Sequence, residues 1–396
     1  MQSIRKAEVI GGGIAGLTAA IALAQTGWQV RLHERDDAIR AIGAGIYVWG
    51  NGLCVLEALG LYDEAVRGAH VGPLLESRDH RNRTVEQVSV NGAGQPRVYT
   101  ILRDHLIGTL VRGAERADVG IVTGSEIRMV TPSGTVTTKD GHSHTADLVV
   151  VADGVNSRIR DQLGLVRRRR RMSQGATRLT IPRQPGFVPP FDENKYIEYF
   201  HGIRRVLYTP SSVNDLYVAL VTSDRDQRGR AVPVDTDLWV QEFPHLEKLL
   251  RASANIPARW DTFEYVTLRR WSAGRVAVIG DAAHAQPPYL GQGGGCAMMN
   301  ALGLASAVAT RDHAVEASLE VWESTERPTI EHTQRWSYGL GMLNLIPDAP
   351  RSTLLRVSSR AHRLGRSRLR AATTVPARFD TQSSDNHRQA TLEHNQ

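Results

Sequence analysis

Six residues near the start of the chain, Gly11-Gly12-Gly13-Ile14-Ala15-Gly16, restrict its fold more than any other stretch. They follow a short apolar run at 7–10 and open an Ala- and Leu-rich segment at 17–26 that reads as a helix stopped by Gly27, before a second strand at 29–33. Gly11, Gly13 and Gly16 thus hold the G-x-G-x-x-G spacing of a βαβ unit. The first glycine permits the tight turn, the second lets a pyrophosphate approach the backbone, and the third lets the helix pack on the strand. The helix N-terminus offers unpaired N–H groups and a favourable dipole to the anion, which makes Gly11, Gly13, Ile14, Ala15 and Gly16 the candidate dinucleotide contacts. Glu34 ends the second strand about 18 residues after the last glycine, where a carboxylate can accept from a ribose 2′-hydroxyl.

With 396 residues the chain has room for two or three domains of roughly 150 residues. Only Cys54 and Cys296 are present, which excludes a disulfide framework or a zinc cluster and suits a reducing compartment. No apolar run approaches the ~20 residues of a membrane helix, and the first residues do not read as a signal peptide, so a cytoplasmic protein is expected. Past the βαβ start, 121–138 turns through Pro132-Ser133-Gly134 like hairpin strands, and 147–151 reads as a buried parallel strand ending at Ala152-Asp153-Gly154. Alternating segments at 195–200, 205–209 and 216–222, with one helix-like interval at 236–251, predict an antiparallel sheet. The parallel pattern resumes at 275–279 and a long helix follows at about 294–310.

The expected architecture is therefore α/β, a Rossmann-like dinucleotide-binding domain from 1–73, 101–172 and 271–345. Strands from 74–100 and a block at 173–270 build the inserted antiparallel-sheet substrate domain. Residues 346–396 form a basic C-terminal extension, a helical tail whose polar end is expected to be disordered.

The chain carries 48 Lys and Arg against 41 Asp and Glu, a formal charge of +7. Two clusters account for the excess. Five arginines stand at 167–171, and Arg351, Arg356, Arg360, Arg363, Arg366, Arg368 and Arg370 fall in a stretch without an acid. They read as a solvated loop and a solvated tail, so neither nucleic acid nor membrane insertion is expected. Leu354, Leu355, Leu364 and Leu369 give the second cluster an apolar stripe and leave a membrane-surface contact as the alternative.

A Rossmann start alone does not separate NAD from FAD, but a distant element does. Residues 275–281 read as a strand ending in Asp281, and Pro287-Pro288-Tyr289-Leu290-Gly291-Gln292-Gly293-Gly294-Gly295 opens a helix. A carboxylate at such a strand end can hold the ribityl hydroxyls of a flavin, and the glycines let backbone N–H groups reach the edge of its ring system. Together with Arg103, set in Ile101-Leu102-Arg103-Asp104-His105-Leu106, and the Asp153-Gly154 pair, these motifs resemble the single-component FAD-dependent aromatic monooxygenases, the para-hydroxybenzoate hydroxylase superfamily. They span roughly residues 7–330 in chain order. The segment Ala41-Ile42-Gly43-Ala44-Gly45-Ile46-Tyr47-Val48-Trp49, then Asn51-Gly52-Leu53, and the run Gly294-Gly295-Cys296-Ala297-Met298-Met299-Asn300-Ala301 are more closely similar to hydroxypyridine hydroxylases such as 2-methyl-3-hydroxypyridine-5-carboxylic acid oxygenase.

The resemblance implies FAD contacts at Arg35, Arg40, Ala44, Arg103, Asp281, Gly291, Gly293 and Gly294 beside those of the glycine turn and Glu34. It implies substrate-side residues at Arg205 and Tyr217, with Arg178 and Pro288 as further candidates, and no metal. An arginine pairs bidentately with a carboxylate or phenolate, whereas its alternative on a strand is an ordinary surface position. Where these relatives carry a substrate-side tyrosine, Leu75 stands, so a different or larger aromatic is expected. The chemistry implied is oxygenation of a hydroxylated aromatic or N-heteroaromatic acid through a flavin C4a-hydroperoxide, either as simple hydroxylation or with ring opening, with NADH or NADPH as transient reductant and molecular oxygen as co-substrate. Another FAD oxidoreductase on the same scaffold, whether reductase, oxidase or halogenase, or a non-catalytic flavin-binding protein, would share most of these motifs. Cys296 and His284 read as packing residues and not as nucleophile or base.

Overall fold

A computed structural model describes residues 4–40, 44–310, 313–360 and 362–375. The expected disorder of the C-terminal end, and Ala41, Ile42 and Gly43 of the motif above, lie outside these residues.

The first strand, Lys6–Ile10, sits between Gln29–His33 and Leu148–Val151, with Val276–Val278 beyond the latter, all parallel. Gly120–Val122 and the short antiparallel Ser272–Ala273 close the two edges of this six-stranded sheet. Leu148, Val149, Val150 and Val151 are all fully buried, which explains why the strand is a continuous apolar run without alternation. Helices Ile14–Gln25 and Gly293–Ala307 pack on each other in the same core.

A second, seven-stranded sheet runs in the order Arg259–Leu268, Val166–Pro182, Asp215–Ser223, Arg204–Pro210, Tyr196–His201, Leu74–Asp79, Thr84–Ser89. Its neighbours are antiparallel except Tyr196–His201 with Leu74–Asp79, so the sheet is mixed where a purely antiparallel one was expected. Alternation divides its residues between two faces. Leu179, Ile197, Val206, Val218 and Leu220 join Trp239, Phe243 and Leu250 in a core of their own. Arg178, Glu198, Arg205, Leu207, Tyr217 and Ala219 occupy the opposite face, as the cross-strand pairs Arg178 with Ala219, Leu207 with Ala219, and Glu198 with Leu207 show.

Three further expectations require correction. The helix-like interval breaks into Thr236–Glu242, a 3-10 turn Pro244–Leu246 and Glu247–Ala252. Pro244 lacks an N–H and pushes Phe243 to φ −133°, out of the helical region. The arginines at 167–171 form no loop. They lie on Val166–Pro182, paired only with Arg259–Leu268 along that stretch, and Arg169 meets Glu264 at 2.7 Å. Charge along such an unpaired edge discourages further strand addition. Nor is the C-terminal cluster wholly solvated, because helices Asp348–Arg360 and His362–Arg368 pack on the body. Arg351 is buried, donating to the carbonyls of Gly202 and Asn344 and lying 4.3 Å over the Phe200 ring, while Arg368 pairs with Glu86 at 2.9 Å.

Candidate active site

At the first βα turn each glycine meets the demand its spacing implied. A Cβ on Gly11, which adopts φ +105°, would lie 2.4 Å from the carbonyl oxygen of Ala152, and one on Gly16 would lie 1.9 Å from that of Gly11. A Cβ on Gly13 would meet nothing within 4 Å, so the backbone there is open to a ligand. Ile14 and Ala15 form the first turn of the helix, whose end carries no side-chain cap. Glu34 accepts the Gly12 N–H at 2.8 Å and the Asp36 N–H at 3.1 Å, which ties the strand end to the glycine turn. Arg35 and Arg40 are exposed, with Arg35 3.6 Å from Asp36.

The second sequence element converges on the first. Gly280, at φ +60°, ends the strand with its Cα against Ala15: a Cβ there would approach the Ala15 methyl to 2.6 Å. Asp281 follows it and presents an exposed carboxylate. Gly291 takes a left-handed conformation against Tyr47, Gly294 faces Ile46, and Gly293 is nearly open. The Ala44 carbonyl accepts the Arg103 N–H at 2.9 Å, joining the Ala44 segment to the start of the helix Arg103–Arg116. The Arg103 guanidinium makes no ion pair and no side-chain hydrogen bond among the described residues. Burial lowers its pKa, against the opposing field of Asp281.

A flavin dinucleotide fits these residues. Among the described residues, Gly13 is the open N-cap of an uncapped helix end, Arg103 makes no ion pair, and Asp153 keeps a buried Oδ1 without a hydrogen-bond partner beside Gly11. Buried polar atoms of this kind are ordinarily satisfied.

On the facing sheet, Tyr217 is buried against Ala44, Leu207 and Ala219, and a Cβ on Gly45 would lie 2.8 Å from the Tyr217 Cβ. Tyr217, Arg178 and Asp281 all act electrostatically on Arg103, so these four residues share one region. Arg178 pairs with Asp261 at 3.3 Å and lies 5.8 Å over Phe263. Arg205 is 7% exposed and pairs with Glu198 at 2.5 Å. Leu75 lies opposite Tyr196 and packs with Trp49, Val98 and Ala372. Pro288 is exposed and points the next residue inward: Tyr289 lies under the Arg205 guanidinium at 5.4 Å, donates to Gln174 Oε1, and meets Phe263 edge-on.

Glu198, Tyr289, Gln174 and Tyr47 escaped the reading of the sequence. Tyr289 carried a signal, since Pro287 and Pro288 preset the turn that aims it. Tyr47 shares a 2.7 Å hydrogen bond with Thr209 and lies edge-on to Tyr196. Burial raises the pKa of both Tyr47 and Tyr289, the latter to about 12, so both remain phenols at neutral pH.

Cys296 and His284 are buried packing residues. Burial pushes the Cys296 thiol up to about 12, far from the thiolate a nucleophile needs. His284 contacts Asn300 Oδ1 at 3.3 Å and packs on Trp271. Burial lowers its pKa, so the unfolded chain takes up this proton before the folded one does. Stability contributed by the neutral ring is therefore complete above about pH 6.5 and is lost as pH falls below it. Melting curves between pH 7.5 and 5 should show this loss, and His284→Gln should flatten the profile. An unchanged profile in that variant would exclude the residue as the source.

The FAD binding domain model matches residues 6–337. Over 381 residues the chain is 48% identical to the probable 2-heptyl-3-hydroxy-4(1H)-quinolone synthase AqdB2 of Rhodococcus erythropolis, a match that covers 96% of this chain and 99% of that protein. Over 370 residues it is 46% identical to the 2-heptyl-3-hydroxy-4(1H)-quinolone synthase of Mycobacteroides abscessus, covering 93% and 97%. Its structure is similar to that of 2-methyl-3-hydroxypyridine-5-carboxylic acid oxygenase, with a TM-score of 0.85 and 39% identity over 95% of this chain and 98% of the other. Sequence and fold agree: the chain belongs to the FAD-dependent aromatic monooxygenases and is a flavin-dependent hydroxylase.

Proposed function

We propose that the enzyme uses NADH or NADPH and molecular oxygen to hydroxylate the 3-position of a neutral 2-alkyl-4(1H)-quinolone. The observation that carries this reading is the Arg205–Glu198 ion pair. A guanidinium already neutralised at 2.5 Å is poorly placed to clamp a substrate carboxylate, and Arg178 is likewise engaged by Asp261. The substrate face of the sheet therefore favours a ring without a charge. Leu75, where a tyrosine was expected, adds apolar wall for an alkyl substituent. The two relatives at 48% and 46% identity are named as a probable synthase and a synthase of such a product.

In this reading the amides of Gly11, Gly13, Ile14, Ala15 and Gly16 hold the pyrophosphate of FAD, Glu34 its ribose, and Arg35 and Arg40 flank its adenosine end. Arg103, Asp281, Ala44, Gly291, Gly293 and Gly294 surround the flavin end. FAD supplies the activation of oxygen that no side chain provides. The remaining work belongs to the chain's own residues. The Tyr217 hydroxyl can donate to the ring carbonyl of the quinolone, which fixes its orientation. Leu207, Ala219 and Leu75 exclude water from the reacting face. The ring nitrogen makes C3 the electron-rich carbon, and loss of its proton after oxygen insertion restores the ring.

The test is oxidation of NADH and of NADPH in air by the FAD-loaded enzyme, with 2-heptyl-4(1H)-quinolone or 2-methyl-3-hydroxypyridine-5-carboxylate added. Strong stimulation by the quinolone, with 3-hydroxylated product in excess of hydrogen peroxide, is expected. Stimulation by the pyridine carboxylate alone would refute the reading.

A further inference from the structure

The C-terminal helices carry a surface that the reaction does not use. Five of the thirteen large apolar side chains exposed among the described residues lie between 345 and 375: Leu345 (49%), Leu354 (50%), Val357 (62%), Leu364 (44%) and Val375 (72%). Helix Asp348–Arg360 has two distinct sides. Arg351 and Leu355 face the protein, whereas Pro350, Thr353, Leu354 and Val357 follow the i, i+3, i+4, i+7 spacing of one outward stripe. The sequence from 349 to 379 contains no acid; Arg356 is exposed on the same helix, and Arg363, Arg366 and Arg370 are exposed along the chain that follows.

From this we infer that the C-terminal helices dock the enzyme on anionic lipid bilayers, with Leu354, Val357 and Leu364 entering the interface and the arginines meeting lipid phosphates. Basic residues flanking an exposed apolar stripe are the pattern of helices that lie in a membrane surface. A second copy is the poorer occupant, since a two-fold contact through this face would set the arginines against themselves. Nucleic acid would satisfy the arginines and leave the leucine stripe in water. The segment that carries the surface also reaches the site: Ala372 packs with Trp49 and Tyr196, and Gln292 donates to the Arg368 carbonyl. Where the substrate is an alkylquinolone, as proposed above, its chain partitions into the same bilayer, and docking places the enzyme at the substrate's source.

The test is co-sedimentation of the full-length, FAD-loaded protein with vesicles of phosphatidylcholine alone or with 30 mol% phosphatidylglycerol. Binding only to the anionic vesicles, reversed by salt, is expected. Arg363→Glu/Arg366→Glu/Arg370→Glu should weaken it on the order of 100-fold, at about fivefold per arginine. Leu354→Ser/Val357→Ser should weaken it also, with turnover of the water-soluble 2-methyl-4(1H)-quinolone unchanged in both variants. That soluble assay separates failure of docking from failure of the substrate reading. Docking is overturned by no binding to anionic vesicles at low salt, by binding indifferent to the serine variant, by equal affinity for duplex DNA, or by a dimer in solution that the serine variant dissociates.

Discussion

Gly13→Val should give a folded protein that emerges without its yellow colour. The backbone at Gly13 is extended, with φ −81° and ψ −176°, a conformation that valine adopts readily. A Cβ there would meet no atom of the protein within 4 Å beyond its chain neighbours, so the flavin-free fold should keep its stability to within about 0.5 kcal/mol. The same side chain fills the space through which a pyrophosphate reaches the helix N-terminus. A loss on the order of 100-fold in FAD affinity is expected, roughly 3 kcal/mol. Gly16→Ala offers the contrast, because its Cβ would lie 1.9 Å from the Gly11 carbonyl oxygen and strain the turn itself. Titration of each flavin-free protein with FAD, beside its melting curve, separates the two. Undiminished FAD binding by the valine variant would mean that the cofactor does not approach Gly13.

Glu198→Gln should turn the substrate preference toward acids. The amide fills the same space but leaves Arg205 without a counter-charge, in a position only 7% exposed and with a buried Nε that already lacks a partner. Breaking a fully buried pair costs about 3–5 kcal/mol. The Glu198 side chain is 25% exposed, so solvent reduces that cost to about 1–2 kcal/mol. The freed guanidinium then recruits an anion. We expect 2-methyl-3-hydroxypyridine-5-carboxylate to bind about tenfold tighter to the variant than to the native enzyme, and 2-heptyl-4(1H)-quinolone to bind several-fold weaker. Perturbation of the flavin absorbance on titration reads both constants. Equal carboxylate affinity in the two proteins would show that Arg205 does not face the substrate.

These results bear on what was legible in the sequence. The glycine turn, Glu34 and Asp281 could be read because each is defined by residues close along the chain and by steric demands that few residue types meet. Arg103 and Ala44 could be placed together only through a resemblance, since one backbone hydrogen bond joins segments far apart in sequence. Glu198 was invisible because its partnership with Arg205 depends on strand register, which alternation does not specify between strands. The parallel pairing of Tyr196–His201 with Leu74–Asp79 was hidden for the same reason. The arginine run at 167–171 misled because charge density resembles a loop, while an unpaired sheet edge tolerates the same residues. Pro244 did carry a readable signal, and it breaks the helix where its chemistry requires.

Under the proposed function, the enzyme would insert one atom of molecular oxygen into a neutral alkylquinolone. Turnover of 2-heptyl-4(1H)-quinolone with NADH or NADPH under ¹⁸O₂ tests it most directly, with mass spectrometry of the isolated product. A 3-hydroxylated quinolone that carries the label is expected. A product whose new oxygen comes from water, or labelled hydrogen peroxide with the quinolone recovered unchanged, would contradict it.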